Sequence, residues 1–515
     1  MKVGVAFAQK KKPSSLKIQE RITEGYVLLL LTLFLFAVPQ EGYVNIISMK
    51  YGLFLCLCGG YVLISLVIQC EYLGLSGILA GVKKCTPKKL WKNYPLHSLI
   101  FAYLCFTTIS ALCSPYDGTF FGKFRQEGVL SLWIYGLCCG LVALYYRPKE
   151  LHLWICGLSA CLFCIFGWIQ LLGGNPLTLF PEPYHYFHSN VFYSGTYWST
   201  IGNVNLCAVV LCSWVAVFGV TLIRCTGKNI YLATIPLFLA VISAFALGSS
   251  SSILAIALGL LLLLPLTVEN VKMFLRWFLV CGICGIGAGV GVVPHFSHPT
   301  IISMVLMISI FLIITYFTLM YSPLQKKLPL THSFHKELYL LVAGFLILLL
   351  AILYFVPFSS GVLFQIHEIL HGRGEDGFGT GRLFIWRGVW DLILENPWLG
   401  GGADTLGMRD LFFYSIKNGE IYLPSIVYID VAHNEWLNIW VNQGIFALLA
   451  YLGIVVQTLI SLWQNRQKFP VLLSGAVVIF YQIQGFFGIS MILTAPYFWL
   501  AVGMANCYVN KTHKN

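Results

Sequence analysis

Charged side chains are scarce in this sequence. Asp, Glu, Lys and Arg together supply 10% of its 515 residues while hydrophobic residues supply 58%, and the mean hydropathy is +0.80. A soluble domain carries about a quarter charged residues, so a water-soluble globule is excluded and a polytopic membrane protein is expected. The net charge of +12 comes from Lys and Arg scattered in short segments between apolar runs rather than clustered in one basic patch, so no nucleic-acid partner is expected. Signature loops are missing too: without a Walker phosphate loop there is no ATP-driven transport, and without GxSxG no lipase-type nucleophile. No acidic cluster suits a divalent metal, so no metal site is expected. The 17 cysteines avoid the longest polar loop and mostly sit in apolar runs, among them Cys56, Cys58, Cys138, Cys139, Cys156, Cys161, Cys164, Cys281 and Cys284. There they read as small buried apolar residues rather than disulfides or zinc ligands.

What is present is a succession of apolar runs, each near the ~20 residues that a membrane-spanning helix needs. They fall at about 25–39, 51–70, 96–113, 129–146, 151–172, 203–223, 230–248, 252–267, 274–293, 301–320, 338–357, 436–463, 470–488 and 492–508. The expected architecture is therefore an all-α polytopic membrane protein of about fourteen transmembrane helices. Helices 1–11 occupy residues 25–357, a long extracytoplasmic loop spans 358–435, and helices 12–14 occupy 436–508. Residues 1–24 and 509–515 are the cytoplasmic N-terminal segment and tail. Orientation follows from Lys and Arg, which stay on the cytoplasmic side. With the N-terminus inside, inner segments hold 24 of the 32 Lys and Arg, including Lys83 to Lys92, Lys326, Lys327, Lys511 and Lys514, and only 6 of the 20 acids. Both termini are expected to be cytoplasmic, and a one-helix error would invert every later loop.

Three outer loops hold most of the polar chemistry: 114–128, 173–202 and the long stretch from about 358 to 435. A connection of that last length with mixed composition is usually functional. Its opening, Val362 to His371, has Ile366, Ile369 and Leu370 at helical spacing, which suits a helix lying on the membrane surface. Farther on, Leu383 to Glu395 predicts a short amphipathic helix with Val389, Leu392 and Leu394 apolar and Asn396-Pro397 ending it. Arg382 and Arg387 stand at or near its start. They form either a guanidinium fork for a phosphate or diphosphate, or surface charges pairing with Asp391 and Glu395. Gly400, Gly401 and Gly402 let backbone approach a bulky substrate or make a tight turn after Pro397. The loop closes on His433, Asn434 and Glu435, where water-facing chain becomes the twelfth helix. This is the best place on the chain for a base, with Asn434 as helix cap and His433 as a solvated interfacial residue the plainer alternative. Asp117, Lys123, Arg125 and Glu127 in the first outer loop are either functional or snorkelling anchors. Asn203 and Asn205 are either caps or substrate contacts.

These residues resemble a known family. Gly381-Arg382 with Trp386, then Asn396-Pro397-Trp398-Leu399-Gly400-Gly401-Gly402, then Ala432-His433-Asn434-Glu435-Trp436-Leu437 with Gly444 are similar to the motifs of the O-antigen ligase and O-antigen polymerase family of bacterial envelope enzymes. Arg125 and Gly128, the Ser199-Thr200-Ile201-Gly202-Asn203-Val204-Asn205 segment and the late position of the long loop agree, so the resemblance covers most of the chain from about residue 100. It implies a GT-C-like membrane glycosyltransferase in the bacterial cytoplasmic membrane. Such an enzyme takes a glycan from an undecaprenyl diphosphate carrier on the outer face and joins it, with inversion, to an acceptor glycan or glycolipid. No cofactor, nucleotide sugar or metal is implied. Carried over position by position, His433 matches the catalytic base and Arg382 the loop arginine; Arg125, Arg387, Asn434, Glu435 and Asn203 are expected as further substrate contacts. One departure stands out: where many members have Ser-Arg-Gly at an outer helix end, this chain reads Gly248-Ser249-Ser250-Ser251-Ser252. Arg125, in preference to Arg387, then supplies the second diphosphate contact, or this branch binds a different carrier group.

Two other readings compete. One is a carrier-lipid glycosyltransferase using Asp117 as base. The other is a lipid-linked polysaccharide flippase, which would show two similar halves and charges inside its spans, neither of which is evident. Ligase and polymerase share the donor and are not separated by these motifs.

Overall fold

The computed structural model describes residues 12–84, 86–180, 196–225, 227–294, 299–321, 335–409, 411–413, 416–417, 420–421 and 427–508. Residues 1–11 and 509–515, with Lys511 and Lys514, lie outside the described residues, as do Lys326, Lys327 and the middle of the second outer loop.

Every expected apolar run falls on helix. In chain order these are α1 (Lys12–Leu29), α2 (Ile46–Phe54), α3 (Gly60–Lys84), α4 (Pro87–Asn93), α5 (Pro95–Leu112), α6 (Val129–Tyr145), α7 (Glu150–Leu171), α8 (Val204–Arg224), α9 (Lys228–Ala246), α10 (Ser250–Thr267), α11 (Val271–Gly291), α12 (Pro299–Tyr321), α13 (His335–Phe355), α14 (Gly361–Leu370), α15 (Arg382–Glu395), α16 (Glu435–Asn465), α17 (Phe469–Gly485) and α18 (Ala495–Ala505). A single π turn, Leu30–Phe34, prolongs α1, and another, Leu55–Gly59, joins α2 to α3. Among the described residues, nine helices are long and apolar enough to cross a membrane, and several shorter ones, α6, α17 and α18 among them, are strongly apolar. The chain is thus a polytopic helical membrane protein. The long loop adds two short antiparallel pairs to the expected all-α content: β1 (Phe412–Phe413) with β4 (Val427–Tyr428), and β2 (Ile416–Lys417) with β3 (Glu420–Ile421).

Burial ranks the helices. Nearly nine-tenths of the apolar stretch of α8 is buried, against about one-tenth for α12 and α13, so α8 is central and α12 and α13 turn apolar faces outward, as lipid-facing helices do. Contacts between helices rest on small residues: Phe480 of α17 packs so closely on Gly259 of α10 that a Cβ there would lie 2.4 Å from its ring. The cysteines among the described residues are free. Cys58, Cys138, Cys139, Cys156, Cys164 and Cys284 are buried as expected, Cys161 and Cys281 are half-buried, and Cys56 is exposed instead.

Polar contacts sort the turns into two ends. At one end Arg147 pairs with Glu20 at 2.8 Å, Arg224 with Glu269 at 2.8 Å, and Arg224 also reaches the Arg466 carbonyl. At the other, the Tyr43 hydroxyl bonds to the Ser199 carbonyl, the Arg382 Nε donates to the Phe487 carbonyl at 3.1 Å, and Asp404 accepts from the Arg125 amide at 2.9 Å.

Candidate active site

The site begins with a break in a helix. Gly444 interrupts α16 with φ +83° and ψ 172°, which leaves carbonyls of the preceding turn without helical partners. The Gly400-Gly401-Gly402 turn enters this gap. The Gly401 amide donates to the Val441 carbonyl at 3.0 Å, the Gly402 amide to the Asn442 carbonyl at 2.6 Å, and the Ile445 amide to the Pro397 carbonyl at 3.0 Å. A Cβ on Gly400 would fall 2.6 Å from the Asn442 carbonyl carbon. The glycines therefore serve a close approach, but to α16 and not to a substrate. The Ser110 hydroxyl seals the joint, bonding to the Leu399 and Asn442 carbonyls.

Helix α15 rests on this platform through Ile385, Val389 and Ile393, spaced i, i+4, i+8 and packed with Leu406, Ile429, Ala432 and Val441. That spacing sets the helical phase, so Leu392 is only partly buried and Leu394 is 61% exposed, in place of the apolar face expected from Val389, Leu392 and Leu394. One turn after Arg382, the Trp386 Nε1 donates to the Ala432 carbonyl at 3.1 Å, next to His433. The Arg382 guanidinium meets only neutral acceptors: the Phe487 carbonyl at 3.1 Å, the Gly379 carbonyl at 2.8 Å and the Thr380 hydroxyl at 2.7 Å. Among the described residues no carboxylate pairs with it.

The first outer loop is fastened to the long loop by Asp404. This buried carboxylate accepts from the Phe124 and Arg125 amides at 3.0 and 2.9 Å, and burial raises its pKa. The Arg125 guanidinium forms a bidentate pair with Asp430 at 2.6 and 2.9 Å, so its charge is already matched. Beneath lies a polar cavity of about 40 Å³ lined by Arg125, Glu127, Asp404, Asp430, Glu435 and Ser490, among others, large enough for a few water molecules. Glu127 accepts from the Tyr135 hydroxyl at 2.7 Å; burial, with Asp404 and Glu435 nearby, pushes its carboxyl up to about 8. Glu435 is 5% exposed and its Oε2 has no partner among the described residues.

His433, between Val431 and Glu435 of the chamber lining, has φ +49° and its Nδ1 is buried without a hydrogen bond among the described residues. Burial, with the Arg382 and Arg125 charges close by and Asp430 opposing them, lowers its pKa to about 4. Gln126, Thr380 and Asp404 are also non-glycine residues at positive φ. Backbone strain of this kind gathers at functional sites, and here it flanks Arg125, Arg382 and His433. Asn434 caps α16, its Oδ1 accepting from the Leu437 amide at 3.0 Å.

The structure thus brings His433, Arg382, Arg125, Asn434 and Glu435 together. Arg387 lies on the exposed side of α15, pairing with Asp376 and the Gly374 carbonyl and not with Asp391 or Glu395. Asn203 caps α8, accepting from the Asn205 and Leu206 amides at 2.9 and 3.2 Å. Asp117 is 81% exposed and pairs with Lys123 at 3.3 Å. The serine run reaches the same end of the bundle: Ser251 accepts from Gln484 at 2.9 Å, beside Gly485, on which Glu435 packs.

With this geometry in place, comparison with known families is decisive for one segment. Residues 285–452 match the O-antigen ligase family. The resemblance drawn from the motifs is borne out there, and the matched segment holds Arg382, Arg387, His433, Asn434, Glu435 and Gly444, though neither Arg125 nor Asn203. A comparison with curated proteins finds no match.

Sequence reasoning missed Asp404 and Asp430, whose partners lie about 280 and 305 residues away; the only local signal was an acid three residues before His433. It also missed Arg409, which lies over the Tyr116 ring at 5.7 Å with its Nε buried and unpartnered among the described residues. A further oversight is His367-Glu368-Ile369-Leu370-His371, which has the HExxH spacing on α14. The two imidazoles are 4.3 Å apart between centroids, but Glu368 is held by Arg373 at 2.7 and 2.8 Å. Among the described residues no third ligand joins them, whereas a catalytic zinc takes three protein ligands.

Proposed function

We propose that the chain is an inverting, metal-independent glycosyltransferase of about fourteen spans in a GT-C-like arrangement. It lies in the bacterial cytoplasmic membrane with both termini cytoplasmic and the site outside. The donor is a glycan on undecaprenyl diphosphate and the acceptor a glycan or glycolipid. The observation that carries this reading is the nearness of His433 to an Arg382 guanidinium that has no counter-charge among the described residues. An acceptor hydroxyl attacks the anomeric carbon, its proton passes to the His433 imidazole, and the bond from the sugar to the diphosphate breaks with its electron pair leaving on the diphosphate oxygen. Arg382 meets the charge that develops there, in surroundings where such stabilisation is strong. Arg125, already neutralised, holds Asp430 and the first outer loop in place and is a second contact once the diphosphate competes for it.

The test is transfer by purified protein in nanodiscs, with an undecaprenyl diphosphate oligosaccharide donor and EDTA present. Transfer is expected to survive chelation and to fall about 10²–10³-fold in Arg382→Ala. Arg387→Ala, which breaks an exposed ion pair, should stay close to wild type. A normal rate in Arg382→Ala, or donor translocation in liposomes without transfer to any acceptor, would overturn the assignment. Supplying glycolipid acceptors in one arm and carrier-linked repeats in another separates ligase from polymerase.

The pH profile carries its own expectation. His433 is the base when neutral, so activity is lost on the acid side as it takes a proton. The acid limb of kcat/KM, which reports the free enzyme, is expected near pH 4, well below the ~6.5 of an ordinary imidazole. Bound diphosphate offsets the two arginines, so the limb of kcat should lie higher. An acid limb of kcat/KM at the ordinary histidine value would contradict the geometry.

A further inference from the structure

At the end of the bundle opposite the site lies an apolar cavity of about 450 Å³, walled by α1, α7, α8, α17 and α18. Protein interiors pack densely, and even an engineered void of about 150 Å³ is large for a core, so a space of this size in a membrane protein is a place for something else. On α17 its lining runs from Phe469 to Val477, about 12 Å along the helix, most of the way through one leaflet's hydrocarbon layer. A second apolar cavity of about 230 Å³ lies between α7, α8 and α9. The two share Leu153 and Asn229, residues near the turns of this end, so they diverge from a common mouth.

The mouth has the polar groups of a lipid headgroup site. His152 lines the larger cavity and is 6% exposed. Its Nδ1 contacts the Tyr146 hydroxyl at 3.0 Å while its Nε2 is buried with no partner among the described residues. Lys149 also lines the mouth, bonded there to Glu24 at 2.6 Å and with Glu150 beside it, so a phosphate must compete with Glu24 for it; the excess of Lys and Arg over acids in the segments expected at this end favours that exchange. We propose that an anionic diacyl glycerophospholipid of the leaflet on this side is a bound component of the protein, one acyl chain in each cavity. Two diverging apolar chambers fit two chains, where a polyprenyl carrier has one. The unpartnered imidazole nitrogen fits an ester carbonyl, which a polyprenyl phosphate lacks, and the basic end fits a phosphate. Basic pockets between helices recognise anionic lipids in this way. The inference is independent of the reaction proposed above.

The test is native mass spectrometry of the full chain released from detergent after exchange into phosphatidylglycerol, phosphatidylcholine or undecaprenyl phosphate. The expected result is one retained phosphatidylglycerol per chain in preference to the other two. Ser213→Phe, which fills the larger cavity from α8, should reduce retention to background while glycan transfer and melting temperature stay near wild type. Should that variant not fold, His152→Ala leaves the chambers intact and should weaken retention about tenfold through one lost hydrogen bond. Equal retention in His152→Ala and wild type, no preference for phosphatidylglycerol, or displacement of it by undecaprenyl phosphate would each overturn the proposal.

Discussion

Replacing His433 by asparagine is expected to lower glycan transfer about 10²–10⁴-fold, the usual contribution of a positioned general base, with the protein still folded. Asparagine is the informative choice because His433 sits at φ +49°, a conformation that asparagine tolerates better than most residues. His433→Ala should lose activity equally but also some stability, since alanine is strained there, and added imidazole should restore part of its rate. Activity and melting temperature measured together separate the two effects. A His433→Asn variant that transfers normally would remove the base and turn attention to Glu435, which lines the chamber with Arg125 and Glu127. Glu127 itself is held largely protonated at neutral pH by a pKa of about 8 and is not free to take a proton. That protonation also sets a sign: Glu127 is expected to favour the folded state fully below its ordinary pKa and progressively less as pH rises towards 8.

The helices were legible in the sequence because a bilayer demands long apolar runs. Arg382 and His433 could be singled out because chemistry restricts which side chains serve as fork and base. What local reading could not supply was pairing across the chain. Arg387 was weighed against acids one and two turns on, yet its partner is Asp376, eleven residues back across a turn. Leu394 counts with Val389 and Leu392 among the apolar residues of an amphipathic helix, yet the phase of α15 is set by what lies beneath Ile385, Val389 and Ile393. Arg125 looked like a free cation until Asp430, 305 residues later, came to lie against it. The glycine run looked like room for a substrate because nothing near it in sequence announces a broken helix more than forty residues downstream.

That break is the basis of the largest expected loss of stability. Gly444→Ala is predicted to destabilise the protein by about 3–7 kcal/mol, summed from two sources. An alanine held at φ +83° and ψ 172°, a region essentially restricted to glycine, costs about 1–3 kcal/mol. Its Cβ would also lie 2.1 Å from the Trp398 carbonyl oxygen and 2.7 Å from the Leu399 carbonyl carbon, both backbone atoms that a side-chain rotation cannot clear. The loop must then withdraw, stretching the bonds from Gly401, Gly402 and Ile445, each worth about 0.5–1.5 kcal/mol net. Because α15 rests on the same platform and Trp386 ties it to the Ala432 carbonyl, withdrawal also separates Arg382 from His433, so transfer should fall along with melting temperature. Gly344→Ala is the matched control: it lies in α13 with open space around a Cβ and an ordinary backbone, and alanine there should be neutral or slightly stabilising. Equal melting temperatures for the two variants in detergent would mean that the Gly400 turn does not depend on the break in α16.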